Sequence, residues 1–117
     1  MKRTKPGTLQ RLCHIRDAIL LSFDFIDGLD KVGFMQDLKT QAAVVRQIEI
    51  IGEAVYALPD DFTSSHPHVP WKNIAATRHK IVHDYFEVDI DVVWSIVKIK
   101  LPEFLNEVEA MIASLEL

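Results

Sequence analysis

Cysteine is nearly absent from this sequence. The single Cys13 excludes an internal disulfide and a zinc site built on cysteine ligands, and its place on an apolar helical face fits a buried, inert thiol. Membrane-length hydrophobic runs are also missing. The longest uninterrupted aliphatic run near the N-terminus, Ala18–Leu21, falls far short of the roughly 20 residues a spanning helix needs. No apolar run follows the basic start Met1–Lys5 that could serve as a signal peptide, so the chain reads as cytoplasmic. Period-two alternation, internal repeats and low-complexity segments are absent too. What remains is one domain over residues 1–117, 49% apolar with four glycines and five prolines, long enough to bury roughly two-thirds of its unfolded surface.

A further shortage is local. From Phe62 to His83 there is no Asp or Glu, although the chain carries 17. The same window holds Lys72, Arg78 and Lys80, and four of the five histidines (His66, His68, His79 and His83). It therefore carries +3 with histidine neutral, against −7 for the rest of a chain whose net charge is −4. A pI of 5.7 argues against a general electrostatic nucleic-acid binder, but not against an enzyme that grips one or two phosphates locally. The basic island, centred on Arg78–Phe86, is the candidate site.

The rest of the chain reads as helices. Residues 1–7 form a flexible lead-in, and Thr8 is expected to cap a first helix with the stripe Leu9, Leu12, Ile15, Ile19, Phe23, Ile26, ending at Gly28. A connector over 29–37 should tuck Val32 and Phe34 inward, with Asp37 capping the next helix. That helix runs from about Leu38 to Leu58 and stops before Pro59. Its stripe is Val44, Ile48, Ile51, Val55, Leu58, and a second apolar face carries Ala43, Ile50, Ala54 and Ala57. Such a helix must meet several neighbours or another subunit. Glu49 and Glu53, one turn apart on it, are either solvated or paired with the basic island. Residues 59–70 read as a loop in which His66 and His68 are surface residues, since two histidines without a third ligand make a weak metal motif. Proline before Trp71 opens a third helix, expected to reach about Tyr85 and to be anchored by Trp71, Ile74, Ile81 and Val82. Asp89 caps the last helix, whose stripe runs from Ile90 to Leu115, with a kink or break near Lys100 because Pro102 falls inside it. The expected fold is an all-α, antiparallel bundle of four to five helices.

Arg78 and His83 stand about 140° apart on a regular helix, so they do not share one face. Three arrangements are open: both are ordinary surface residues, the helix ends before His83, or the two meet partners across a two-fold axis. An arginine that binds phosphate bidentately and a histidine that titrates near neutrality suit RNA cleavage by the adjacent 2′-OH, with no carboxylate cluster for Mg²⁺ in evidence.

Arg78-x-x-x-x-His83-x-Tyr85 resembles the R-x(4)-H-x-Y signature of the HEPN superfamily, and of its HepT toxins in particular. The similarity extends through Ile48–Glu49–Ile50–Ile51–Gly52–Glu53–Ala54, Val69–Pro70–Trp71–Lys72–Asn73–Ile74, Phe86–Glu87–Val88–Asp89, Val93–Trp94 and Leu101–Pro102–Glu103, covering roughly residues 9–112. The chain departs from the pattern at His79, where the family often carries Asn or another small polar residue. The resemblance implies a HEPN-type bundle and a metal-independent endoribonuclease toxin of a type VII toxin–antitoxin pair. It also implies a homodimer with its cleft at the subunit interface and no cofactor. On that reading Arg78 holds or activates the scissile phosphate and His83 does acid/base work, with His79, Lys80 and Glu53 as supporting candidates. The substrate would be an RNA such as tRNA or mRNA. The implied antitoxin is an MntA-type nucleotidyltransferase that silences the site by transferring AMP to Tyr85, where added bulk and negative charge repel RNA. As the alternative, the resemblance also admits a non-catalytic helical partner that presents substrate to a nucleotidyltransferase, and from physics alone a plain structural bundle also stands.

Overall fold

Gly7, not Thr8, occupies the cap of the first helix in the computed structural model, which describes residues 7–84 and 87–116 but not the side chains of His83 and Asp84. The expected lead-in, apart from Gly7, lies outside the described residues. Helix α1 (Thr8–Ile26) starts with the Gln10 side chain accepting from the Gly7 N–H at 3.0 Å. Its three-four stripe is buried through Leu12, Ile15, Ile19 and Ile26, while Cys13 is half-buried beside it. Ser22 lies within that face, its hydroxyl donating to the Ala18 carbonyl at 2.8 Å. The chain leaves α1 through Gly28 at φ +79°, a left-handed turn that glycine makes without strain.

The connector contains a short helix, α2 (Lys31–Met35), capped by Asp30, whose carboxylate accepts from the Gly33 N–H at 2.8 Å. Phe34 is fully buried and stacks at 5.1 Å on Trp94, but Val32 is 64% exposed, against expectation. Residues two positions apart on a helix, as Val32 and Phe34 are, point about 200° apart, so a single turn can bury only one of them.

Asp37 caps α3 (Leu38–Tyr56) as expected, accepting from the Thr40 N–H at 3.0 Å and the Thr40 hydroxyl at 2.7 Å. Val44, Ile48, Ile51 and Val55 are buried along α3, and Leu58 just beyond it. The helix packs against α1 on one side and against the later elements on the other. On its second apolar face Ala54 is buried, while Ala43 and Ile50 are half-buried and Ala57 is exposed. The expected loop over 59–70 includes a further helical turn, α4 (Asp60–Ser64).

The third helix differs most from expectation. It starts at Trp71 but breaks at Ala76 into α5 (Trp71–Ala75) and α6 (Thr77–Ile81), four residues short of Tyr85. Val82 turns extended at φ −107°, ψ 109°, and β1 (Val82–Asp84) pairs antiparallel with β2 (Glu87–Val88). The register sets Val82 against Val88 and Asp84 against Glu87, and the Asp89 N–H donates to the Ile81 carbonyl at 2.7 Å. β-Branched residues facing each other suit a short ribbon better than a helix end. No strand was legible there in the sequence.

Asp89 caps α7 (Ile90–Ser95), accepting from the Val92 N–H at 3.2 Å. The expected break comes as one turn of π-helix, Ile96–Lys100, leading into α8 (Leu101–Leu115) with Pro102 in its first turn. Proline has no N–H to continue the α-ladder, and the wider turn takes up the mismatch. Val93, Val97, Leu101, Phe104, Val108, Met111 and Ile112 carry the stripe into the core, against α1 for α8. Among the described residues the fold is an all-α bundle with one two-stranded ribbon at the end of the motif helix. None of its described helices is long and apolar enough to cross a membrane.

Candidate active site

The site is built where α5 and α6 cross α3. Gly52 makes the crossing close: a Cβ placed on it would sit 3.3 Å from the Ala75 carbonyl oxygen and 3.6 Å from that of Ile74. A side chain at this position would push α5 away, so glycine here serves close approach. The crossing brings Arg78, the second residue of α6, over the second half of α3. Its Nε lies 3.4 Å from Glu49 Oε2.

Of the two glutamates legible as partners for the basic island, Glu49 is the one that meets it. Glu53 is exposed one turn further on. The Arg78 side chain is 56% exposed and that of Glu49 is 25% exposed, so the carboxylate is fixed at the base while the guanidinium reaches into solvent. A carboxylate on Nε occupies one edge of the guanidinium. The edge formed by the two terminal nitrogens is the one that takes a phosphate in a fork.

His79 and Lys80 are exposed on α6. Lys80 follows Arg78 by two residues, about 200° round the helix, and so serves a different face. It lines a groove of about 570 Å³ between α5–α6 and α7–α8, floored by Ile48, Ile51 and Ile96, with Lys100 and Glu107 also on its walls. The contiguous basic island of the sequence is thus divided in space, and Lys100 joins Lys80 from a part of the chain that sequence reasoning passed over. Its signal was weak: Lys98 and Lys100 alternate with apolar residues inside what reads as a core stripe.

The loop histidines are tied elsewhere. His66 Nδ1 sits 3.0 Å from the Phe62 carbonyl and its own carbonyl accepts from Trp71 Nε1 at 3.0 Å, so it ties α4 to α5. His68 Nε2 meets Glu107 Oε2 at 2.9 Å. Among the described residues no group of three or more His, Cys, Asp or Glu is placed to hold a metal.

His83 belongs to β1 by its backbone, and its side chain lies outside the described residues, as does the whole of Tyr85. The early end of α6 answers one of the three arrangements left open by the sequence. His83 is not on the helix that carries Arg78, and the 140° offset of a continuous helix does not apply.

The family described as "Ribonuclease HepT-like" matches residues 15–111. A protein of Methanocaldococcus jannaschii named as a candidate RNase, MJ0127, is 43% identical over 80% of this chain and 77% of its own length. "Probable ribonuclease HepT" of Thermococcus cleftensis is 40% identical over 95% of this chain and 98% of its own. A candidate RNase of Caldanaerobacter subterraneus, TTE0752, is 35% identical over 96% of each. No solved structure gives a significant match. The chain belongs to the HepT-like ribonuclease family.

Proposed function

We propose that this protein is a metal-independent endoribonuclease toxin that cuts RNA, such as a tRNA or mRNA, by attack of the 2′-OH on its own phosphate. The observation that carries the reading is Arg78 on a short helix that ends at Ile81, held through Nε by Glu49 and followed within two residues by the strand of His83. The terminal nitrogens of Arg78 bind the scissile phosphate and stabilise the charge that grows on it. His83 exchanges a proton with the reacting oxygens. The working unit is a homodimer with its cleft between subunits. The names of the relatives, all ribonucleases or candidate RNases, support the reaction class.

On this reading the toxin is silenced by an MntA-type nucleotidyltransferase antitoxin that transfers AMP to Tyr85. The phenol oxygen attacks the α-phosphate of ATP and pyrophosphate leaves. The attached phosphodiester adds negative charge and bulk to a motif meant to take RNA phosphate, and so repels the substrate.

The test is cleavage of labelled RNA in the presence of EDTA by the purified protein and by Arg78→Ala and His83→Ala. The wild type should cut and both variants should lose at least ~10²-fold, the usual cost of removing a charge-stabilising or proton-transferring group. Retained cleavage in both variants overturns the assignment. An inert wild type that still binds a nucleotidyltransferase favours the non-catalytic partner instead.

A further inference from the structure

Cleavage of RNA through its own 2′-OH needs two proton transfers, one from the attacking hydroxyl and one to the departing 5′-oxygen. The motif supplies one histidine per chain from β1, so in a cleft between two subunits the second transfer falls either to the second subunit's motif histidine or to another group of the same chain. The fold places a second proton acceptor beside the arginine. Glu49 Oε2 is 3.4 Å from Arg78 Nε, on a 19-residue helix whose neighbouring turn is pinned to α5 at Gly52. We infer that Glu49 is the general base of the reaction and that one chain therefore carries both base and acid.

The inference rests on the ribonuclease reading above. Glu49 and the phosphate would share one planar guanidinium: the carboxylate on the Nε edge, the phosphate on the edge of the two terminal nitrogens. These edges adjoin, and the 2′-oxygen is bonded into the ribose right beside the phosphorus it attacks. A carboxylate on the neighbouring edge can therefore receive its proton. Arg78 faces Glu49 from α6, and Arg46 and Glu53 flank it one turn away on α3. Unlike a fully sequestered ion pair, Glu49 keeps 25% of its side-chain surface open to solvent, enough to meet substrate.

The step balances. The Glu49 carboxylate takes the 2′-OH proton, O2′ bonds to phosphorus, and the bond from phosphorus to the 5′-oxygen breaks. That oxygen takes a proton from the His83 imidazolium. The products are a 2′,3′-cyclic phosphate and a 5′-hydroxyl, with Glu49 protonated and His83 neutral, and exchange with water resets both.

Glu49→Gln separates chemistry from positioning, because glutamine keeps the size and place of the carboxylate beside Nε while it cannot take a proton. We expect kcat to fall at least ~10²-fold with KM little changed and an unaltered melting temperature. A second substrate sharpens the assignment: RNA with sulfur in place of the bridging 5′-oxygen releases a thiolate that needs no acid. His83→Ala should regain most of its rate on that substrate and Glu49→Gln should not. Cleavage by Glu49→Gln within threefold of wild type would leave Glu49 a positioning residue and overturn the inference, and so would recovery on the sulfur substrate. Failure of the wild type itself to cut, or full activity of Arg78→Ala, instead overturns the ribonuclease reading and this inference with it.

Discussion

Gly52 and the carbonyl of Ala75 approach so closely that a methyl group on Gly52 would lie 3.3 Å from the carbonyl oxygen. This contact sets how α5, and α6 behind it, cross α3, and so how Arg78 meets Glu49. A mid-helix glycine ordinarily costs about 1 kcal/mol relative to alanine, which makes the residue a concession to the crossing. Gly52→Ala should regain that propensity, roughly offset it with strain at Ala75, and leave the melting temperature within a few degrees of wild type. RNA cleavage should fall by more than stability does. Gly52→Val, which cannot fit, should lose about 1–3 kcal/mol by denaturant unfolding.

Asp37 tests the start of α3. Its carboxyl is held below the usual carboxylate range, first by the hydrogen bond from the Thr40 hydroxyl and then by the Thr40 N–H. A group whose pKa is lowered on folding adds stability above its unfolded pKa, and that stability disappears as pH falls through the folded value. Asp37→Ala should therefore melt lower than wild type at neutral pH. The two melting temperatures should converge as pH is taken down through and below the unfolded carboxylate range. A gap that persists at the acidic end would assign the loss to packing rather than to the ionised cap.

The features legible in the sequence are those set by neighbours along the chain. The stripes of α1, α3 and α8, the caps Asp37 and Asp89, and the break before Pro102 all follow from three-four spacing, short polar side chains and a missing N–H. Features set by distant residues were not legible. Val82 pairs with Val88 across the end of α6, and no local propensity announces a two-strand ribbon in a helical chain. Val32 and Phe34 are equally apolar, and only the position of Trp94 decides which is buried. At the site, the sequence left the pairing of Glu49 and Glu53 open and named Glu53 as the supporting candidate, whereas the structure sets Glu49 against Arg78. The choice between them depends on where α6 lands on α3, which Gly52 determines through its contact with α5.

His68 and Glu107 join the loop before α5 to α8 at 2.9 Å, with 57% and 46% of their side chains exposed. Exposed pairs of this kind contribute between nothing and about 1 kcal/mol. His68→Ala should accordingly shift the unfolding free energy by less than that and leave the rate of RNA cleavage unchanged. A large loss of cleavage would show that the groove edge, and not only the Arg78 side of α6, serves the reaction.

Tyr85 is the residue through which cleavage and its silencing can be taken apart. The proposed modification needs the phenol oxygen as nucleophile, whereas the proposed cleavage uses Arg78, Glu49 and His83. Tyr85→Phe keeps the ring and removes only the hydroxyl, so the variant should cut RNA at close to the wild-type rate. Induced alone, both proteins should arrest growth. Induced together with an MntA-type nucleotidyltransferase, the wild type should be relieved and should gain AMP by intact-mass measurement. The phenylalanine variant should stay toxic and gain none. Relief of Tyr85→Phe without any added mass would mean that the partner silences the site by covering Arg78 directly, since a charge that is never attached cannot repel the RNA.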